Sequence, residues 1–258
     1  MSFVRQLYNE LSSRSLDFLM LFLAVTLGFL AENYREAQVI EANLQQNYEA
    51  MLDELANDRE QMDRIYGPSL PQGRALMAVE YLLYRYQNGR ITYDSLVDGL
   101  LSLDSIPSYP TVFVNNATYK SIQSMGYMAS IPDDALKLTM SHYYETMMKR
   151  LEDNNALFDQ EGADFFNNDM PVFKLTWLRD EEALTVMKHA TDTAFNDLKS
   201  YQRWVLERPE TKAYMGSVRA IHDVESFRSR FLVYCFAVSK MRSQNDSLTA
   251  LLESARRD

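Results

Sequence analysis

Two histidine–glutamate pairs have the spacing that comes nearest to a metal site. His142 precedes Glu145, and His222 precedes Glu225, by three residues, so each pair would share one face of a helix. Di-iron helical bundles use the opposite order, Glu-x-x-His, with two further glutamates, and no histidine of this chain has a glutamate three residues before it. We therefore predict polar surface pairs and no metal site.

The chain has a single cysteine, which is its only candidate thiol nucleophile. Cys235 lies between Tyr234 and Phe236 in an apolar run, and apolar surroundings raise the pKa of a thiol and make it unreactive. The sequence contains no nucleophile elbow, no P-loop and no HExxH motif. We predict no catalytic residue, no cofactor and a protein that is not an enzyme.

Asp17 is an ionisable residue at the start of an apolar run, a position that is costly and often functional. Proton-driven stator subunits place an aspartate near the cytoplasmic start of a lone N-terminal helix, and residues 17–21 weakly resemble that arrangement. Two roles are open: Asp17 carries ions or binds a partner subunit, or it lies at headgroup depth and caps the span. The first role predicts that Asp17→Asn abolishes function.

The composition indicates a helical protein. Gly 8 and Pro 7 in 258 residues amount to about half the usual share of these residues, which β-rich and glycine-loop folds need for turns. The hydrophobic share of 47% excludes a disordered chain. The net charge of −10 excludes nucleic acid as a partner, because phosphate binding needs a basic face. The predicted fold class is all-α.

The apolar run from Phe18 to Ala31 contains no charged residue and predicts a transmembrane helix over 16–32. A cleaved signal peptide is the alternative, but Phe29 would stand where a small residue is wanted before cleavage at Ala31. Arg5 and Arg14 before the run, against Arg35 after it, place the N-terminus in the cytoplasm. We expect a cytoplasmic amphipathic segment at 1–15 and a periplasmic α-helical domain at 33–258, in a bacterial inner membrane.

A stripe of apolar residues follows the run at helical spacing. Because neither glycine nor proline occurs between Ala31 and Gly67, the membrane helix is predicted to continue outward as one rod. The stripe packs against later helices of the same chain, or it joins several copies into a coiled-coil stalk. Its members are Tyr34, Ala37, Ile40, Leu44, Tyr48, Met51, Leu55, Met62 and Ile65.

The rest of the chain predicts a bundle of further helices. Thr118 is expected to cap a short helix that ends at Gly126, and Asp133 and Asp134 to begin a long one. The apolar segment 231–238 is predicted to be buried on every face. The remaining helices are expected at 74–87, at 93–103, from 181 to about 209, and from 210 to near the C-terminus.

Two stretches resemble a family of uncharacterised single-span membrane proteins that is common in the Bacteroidota. The first is Asp17 with the apolar run and Glu-Asn-Tyr-Arg-Glu at 32–36. The second is the Tyr-x-x-Ile-x-x-x-Gly segment at 119–126, with the leucine-containing segment that ends in Tyr143 and Tyr144. The resemblance implies a single span with a helical outer domain, and it implies no activity.

These observations favour an anchored helical interaction or scaffold module. Its expected partners are the lipid bilayer and either a second copy of the chain or another envelope protein. The alternative is an accessory subunit of an ion-driven or transport complex that uses Asp17.

Overall fold

The computed structural model describes residues 2–66, 71–103, 109–166 and 198–256, and these residues form helices and connections without a strand. The predicted all-α class is confirmed. The helices are α1 (Ser2–Tyr66), α2 (Pro71–Gln87), α3 (Tyr93–Leu101), α4 (Ala117–Ser124), α5 (Asp134–Ser141), α6 (Met148–Asp164), α7 (Leu198–Leu206), α8 (Pro209–Met215) and α9 (Val218–Ala255). A 3₁₀ turn spans Tyr127–Ser130, and a π-helical turn spans His142–Met147.

Helix α1 is one unbroken element of 65 residues, about 98 Å long at 1.5 Å per residue. It carries the apolar run in its first half and the apolar stripe in its second half, so the predicted continuous rod is confirmed. The helix ends at Tyr66, directly before the Gly-Pro pair at 67 and 68. Proline has no backbone N–H and cannot continue a helix, which accounts for the end.

The two long helices α1 and α9 run antiparallel and form the centre of the bundle. Gln45 donates to the carbonyl of Ala255 at 3.2 Å, whereas Asp63 accepts from Arg242 at 2.6 Å. Helix α9 also packs against α2 and α6. In its first half it buries Phe227 and Tyr234 against the ring of Phe158, and the ring centroids lie 5.6 and 4.6 Å apart.

Helices α5 and α6 form one continuous rod that contains the π turn. Asp133 caps α5 by accepting from the backbone N–H of Ala135 at 2.8 Å, as the sequence predicts. The π turn adds a residue to the helical repeat, and π turns are frequent at functional sites. Both Tyr143 and Tyr144, adjacent in this turn, enter the core.

Helix α4 begins at Ala117, two residues earlier than a cap at Thr118 predicts, so the expected capping role of Thr118 is wrong. Thr118 lies in the first turn of the helix, and its hydroxyl donates to Glu54 at 2.8 Å. The helix ends where predicted, because Gly126 has φ +73°, a left-handed conformation that costs a glycine little.

Two expectations for the end of the chain are also wrong. The chain from residue 210 is broken into α8 and α9 at Gly216 and Ser217, where Gln87 of α2 donates to the carbonyls of Met215 and Ser217. The segment 231–238 is not buried on every face, because a single helix can turn only part of its circumference toward the core. Leu232, Val233 and Phe236 remain 48%, 51% and 65% exposed.

Two glycines inside helices make a matched pair of stability predictions. A Cβ at Gly162 would lie 2.8 Å from the Cβ of Tyr109 and also meet its ring, which stacks on Phe166. A Cβ at Gly99 would meet only the side chain of Leu82, whose Cδ2 and Cδ1 atoms would lie 2.8 and 3.1 Å away, and the end of this flexible side chain can move.

Replacing glycine with alanine inside a helix gains about 1 kcal/mol of helix propensity. At Gly162 an overpacking cost of about 1–3 kcal/mol outweighs this gain, so we expect Gly162→Ala to lower the free energy of unfolding. We expect Gly99→Ala to leave it unchanged or raise it. Urea unfolding of the full chain in mild detergent measures both, and equal effects would contradict the packing argument.

Candidate functional site

The apolar run of α1 lies entirely outside the folded bundle. No residue of this run is buried, and Phe18 and Phe29 are 72% and 69% exposed. Among the described residues it belongs to the one helix that is long and apolar enough to cross a membrane. A core helix of a soluble domain would bury these side chains, and this one does not.

The predicted interaction stripe changes character along α1. Tyr34 and Ala37 are exposed and Ile40 is half-buried. The next four members lie in the hydrophobic core of the chain itself: Leu44, Tyr48, Met51 and Leu55. Of the two alternatives for the stripe, internal packing therefore applies to these four residues. Self-association through Tyr34, Ala37 and Ile40 stays a prediction.

A buried polar cluster, which the sequence did not predict, lies farther along the same face of α1. Asp58 is 0% exposed and accepts from the backbone N–H of Asn115 at 3.1 Å and from the hydroxyl of Tyr143 at 3.2 Å. Asn245 of α9 donates to that hydroxyl at 3.2 Å and to the carbonyl of Leu55 at 3.0 Å. The cluster thus joins α1, the π turn, α9 and the connection before α4.

Burial raises the pKa of Asp58 to about 6. The hydrogen bonds from Asn115 and Tyr143 lower this pKa only in part, and the charge of Glu54 raises it further. Burial also raises the pKa of Tyr143, so its hydroxyl stays protonated and serves as a donor. Because Asp58 is shielded from solvent, the cluster is suited to holding helices together and not to meeting a substrate.

A signal for Asp58 was present in the sequence. The apolar stripe moves by three or four residues until Leu55 and then by seven to Met62. Asp58 occupies the core-facing position between them, three residues after Leu55 and four before Met62. A carboxylate on the apolar face of a helix indicates a buried polar contact, but its partners come from distant parts of the chain.

A cavity of about 540 Å³ opens at the end of the bundle nearest the apolar run. Its walls come from α1, from the connection that leads into α5, and from the last turn of α9. The apolar lining includes Ile40, Leu44 and Leu136, and the polar lining includes Gln45 and Tyr48. This size lies within the range of about 300–1,000 Å³ that is common for small-molecule sites.

The histidine–glutamate pairs do not come together as a metal site, and the described residues contain no group of three possible metal ligands. His142 and His222 are exposed. Glu145 accepts instead from Tyr119 at 2.6 Å and from Gln123 at 2.9 Å. Asp17 is part of helix α1, but its side chain lies outside what the structure describes.

Cys235 is buried, and burial raises the pKa of its thiol to about 12. At pH 8 a thiol with this pKa has about a thousandfold less thiolate than one with a pKa near 9. We therefore expect a maleimide to modify the folded chain about a thousandfold more slowly than the urea-unfolded chain. Mass spectrometry of timed samples measures both rates, and rapid labelling of the folded chain would contradict the burial.

Comparisons of the chain with family models, with curated proteins and with solved structures found no match.

Proposed function

We propose that the chain is a single-pass membrane protein whose helical domain is an anchored interaction module. The proposal places the N-terminus in the cytoplasm, the span in a bacterial inner membrane and the bundle in the periplasm. One observation carries it: α1 passes without a break into the buried core from an apolar run in which no residue is buried. A helix shared by the anchor and the bundle holds the bundle at a set height above the membrane.

The exposed apolar side chains of α9 support the interaction role. Leu232, Val233 and Phe236 are exposed and are neighbours on the surface of the helix. Adjacent apolar side chains exposed to water are typical of a surface that binds another molecule. The path from Ala31 along α1 to Gln45, and from its contact at Ala255 along α9 to these side chains, is about 50 Å long and leads away from the apolar run throughout. That separation is too large for contact with the same bilayer, so we propose that the partner is another envelope protein.

Cysteine accessibility tests the orientation. Cys235 is buried, so new cysteines can be added without removing it. In intact cells a membrane-impermeant maleimide is expected to label Ser247→Cys, which lies on exposed α9 surface, and to label Ser12→Cys only after the membrane is permeabilised. The reverse pattern would contradict the orientation. The unaltered chain is the control: it should not be labelled, because its single cysteine, Cys235, is buried.

Site-specific photo-crosslinking tests the interaction. A benzoylphenylalanine in place of Phe236 is expected to give a discrete adduct in the native membrane, because this side chain points away from the core. The same group in place of Gln160, an exposed polar residue of α6, is the control. The mass of the adduct distinguishes another protein from a second copy of the chain. Equal adducts from both positions, or none from either, would contradict the proposed surface.

A further inference from the structure

The cavity at the membrane-proximal end of the bundle contains two buried polar atoms without a partner. They are the Oε1 atom of Gln45 and the hydroxyl of Tyr48, and they do not hydrogen-bond to each other. The Tyr48 side chain is only 3% exposed. Buried polar atoms are nearly always hydrogen-bonded, so an unpaired pair in one cavity indicates a bound molecule that supplies the missing bonds.

The orientation of Gln45 limits what that molecule is. Its amide nitrogen donates to the carbonyl of Ala255 at 3.2 Å, which leaves the Oε1 atom free only to accept. Burial, and then the charge of Asp133, raise the pKa of Tyr48, so its hydroxyl stays protonated. The cavity therefore requires a ligand that donates at least one hydrogen bond.

The charges around the cavity favour a cation. Glu41 and Asp133 line it, and the last turn of α9 adds its carbonyl end, which is the negative end of a helix. The lining residues that the structure describes include no lysine, arginine or histidine. An anion would meet two carboxylates without a compensating positive charge.

The remaining wall is apolar and suits a carbon chain. Ile40 and Leu44 of α1 face Ile131, Pro132 and Leu136 across the cavity. Because burying apolar surface is favourable, these walls favour an alkyl body over a fully hydrated ion.

We propose that this cavity binds an organic ammonium ion with an alkyl body, whose N–H groups donate to Gln45 and Tyr48 and whose charge faces Glu41 and Asp133. Two sources share this chemistry: a free alkylamine, and the amino head group of a membrane lipid. The lining residues of α1 begin about 9 Å and end about 26 Å beyond Ala31, which places the cavity just above a head-group layer if α1 is anchored there.

Photolabelling with a diazirine-bearing octylammonium ion tests the site. The full chain is placed in nanodiscs of phosphatidylcholine, whose head group has no N–H donor. We expect crosslinks on peptides that contain residues 40–48, 131–136 or 254–255. Unlabelled octylammonium should compete best, octyltrimethylammonium more weakly, and octyl sulfate least. Equal competition by all three, or crosslinks elsewhere on the chain, would overturn the proposal.

Variants separate the hydrogen bonds from the charge. Tyr48→Phe and Gln45→Leu each remove a buried acceptor, and we expect each to weaken octylammonium binding about tenfold. Asp133→Asn retains a residue that can cap α5, and it should reduce the preference for octylammonium over octyl sulfate several-fold. Asp153→Asn, at an exposed position of α6, is the matched control and should change neither value. Unchanged binding in all three cavity variants would overturn the proposal.

Tyr48→Phe also allows a test by melting temperature that does not need the photolabel. If the hydroxyl were simply an unpaired group, its removal would raise the melting temperature of the full chain without ligand. Octylammonium would then shift the melting temperature of neither protein. We expect octylammonium to raise the melting temperature of the unaltered chain more than that of Tyr48→Phe. The same shift in both proteins would contradict a hydrogen bond to Tyr48.

The lipid content of the nanodiscs distinguishes the two sources. Replacing part of the phosphatidylcholine with phosphatidylethanolamine should suppress labelling by octylammonium if the lipid amine occupies the cavity. Undiminished labelling assigns the cavity to a free amine. Binding of the free amine does not require the proposed anchor, so a failed orientation test and a failed binding test remain distinguishable.

Discussion

We expect the double substitution Leu23→Arg with Leu27→Arg to move the chain from the membrane fraction to the soluble fraction. Both side chains lie in the exposed apolar run of α1, one helical turn apart. An arginine near the centre of a spanning helix costs about 2.5–3.5 kcal/mol, so the pair costs about 5–7 kcal/mol. The run has only fourteen uncharged residues, and the described residues contain no second candidate span that could retain the chain. Alkaline carbonate extraction followed by immunoblotting measures the distribution.

The matched control places the same two charges outside the run. Ser243 and Ser247 of α9 are exposed and also one turn apart, so Ser243→Arg with Ser247→Arg should leave the chain in the membrane fraction. Circular dichroism of each extracted protein shows whether the helical domain remains folded. Retention of the Leu23→Arg, Leu27→Arg chain in carbonate-washed membranes would contradict a span at this position.

We expect the unfolding free energy of the unaltered chain to fall as the pH rises through about 6, and we expect Asp58→Asn to remove this fall. The pKa of Asp58 is raised to about 6 by burial in the folded chain, so the folded state holds its proton more tightly than the unfolded state does. This contribution is complete only well below pH 4, where the unfolded carboxyl is protonated too, and it is lost as the pH rises through 6. Relative to the unaltered chain, Asp58→Asn should therefore gain about 2.4 kcal/mol of unfolding free energy between pH 4 and pH 8.

Urea unfolding of both full chains at several pH values measures this difference. Asp63→Asn is a control of opposite sign on the same helix. Although burial raises the pKa of Asp63, its hydrogen bonds from Arg242 and Arg59 lower this pKa overall. That contribution is present at neutral pH and is lost in acid. A stability difference between Asp58→Asn and the unaltered chain that does not change with pH would contradict the buried carboxylate.

Local signals predicted the elements whose determinants are neighbours in the chain. The uninterrupted course of α1, the capping of α5 by Asp133 and the end of α4 at Gly126 depend on backbone chemistry within one or two helical turns. The start of α4 was misplaced because the hydroxyl of Thr118, the expected cap, donates to Glu54 of α1 instead of capping the helix. A contact 64 residues away in sequence has no local signature.

The candidate sites depended on contacts of that kind. The sequence marked Cys235 as a buried thiol, because its immediate neighbours are apolar. It did not mark the cluster of Asp58, Tyr143 and Asn245, or the cavity that contains Gln45 and Tyr48, because the hydrogen bonds in them join residues 85 to 210 positions apart. The segment 231–238 was misjudged for the same reason: composition indicates how apolar a helix is, but not how many of its faces are covered.

By itself, the sequence determined that this protein is helical and carries one apolar run long enough to be a candidate span, and that this run continues into a long stripe. These properties follow from composition and from the 3.6-residue period, which act over a few residues. The tertiary structure alone decided where the stripe becomes core, which carboxylate is buried and which apolar side chains stay exposed. Burial is a property of the packed bundle, because it depends on which distant helices cover each face and exclude water from it.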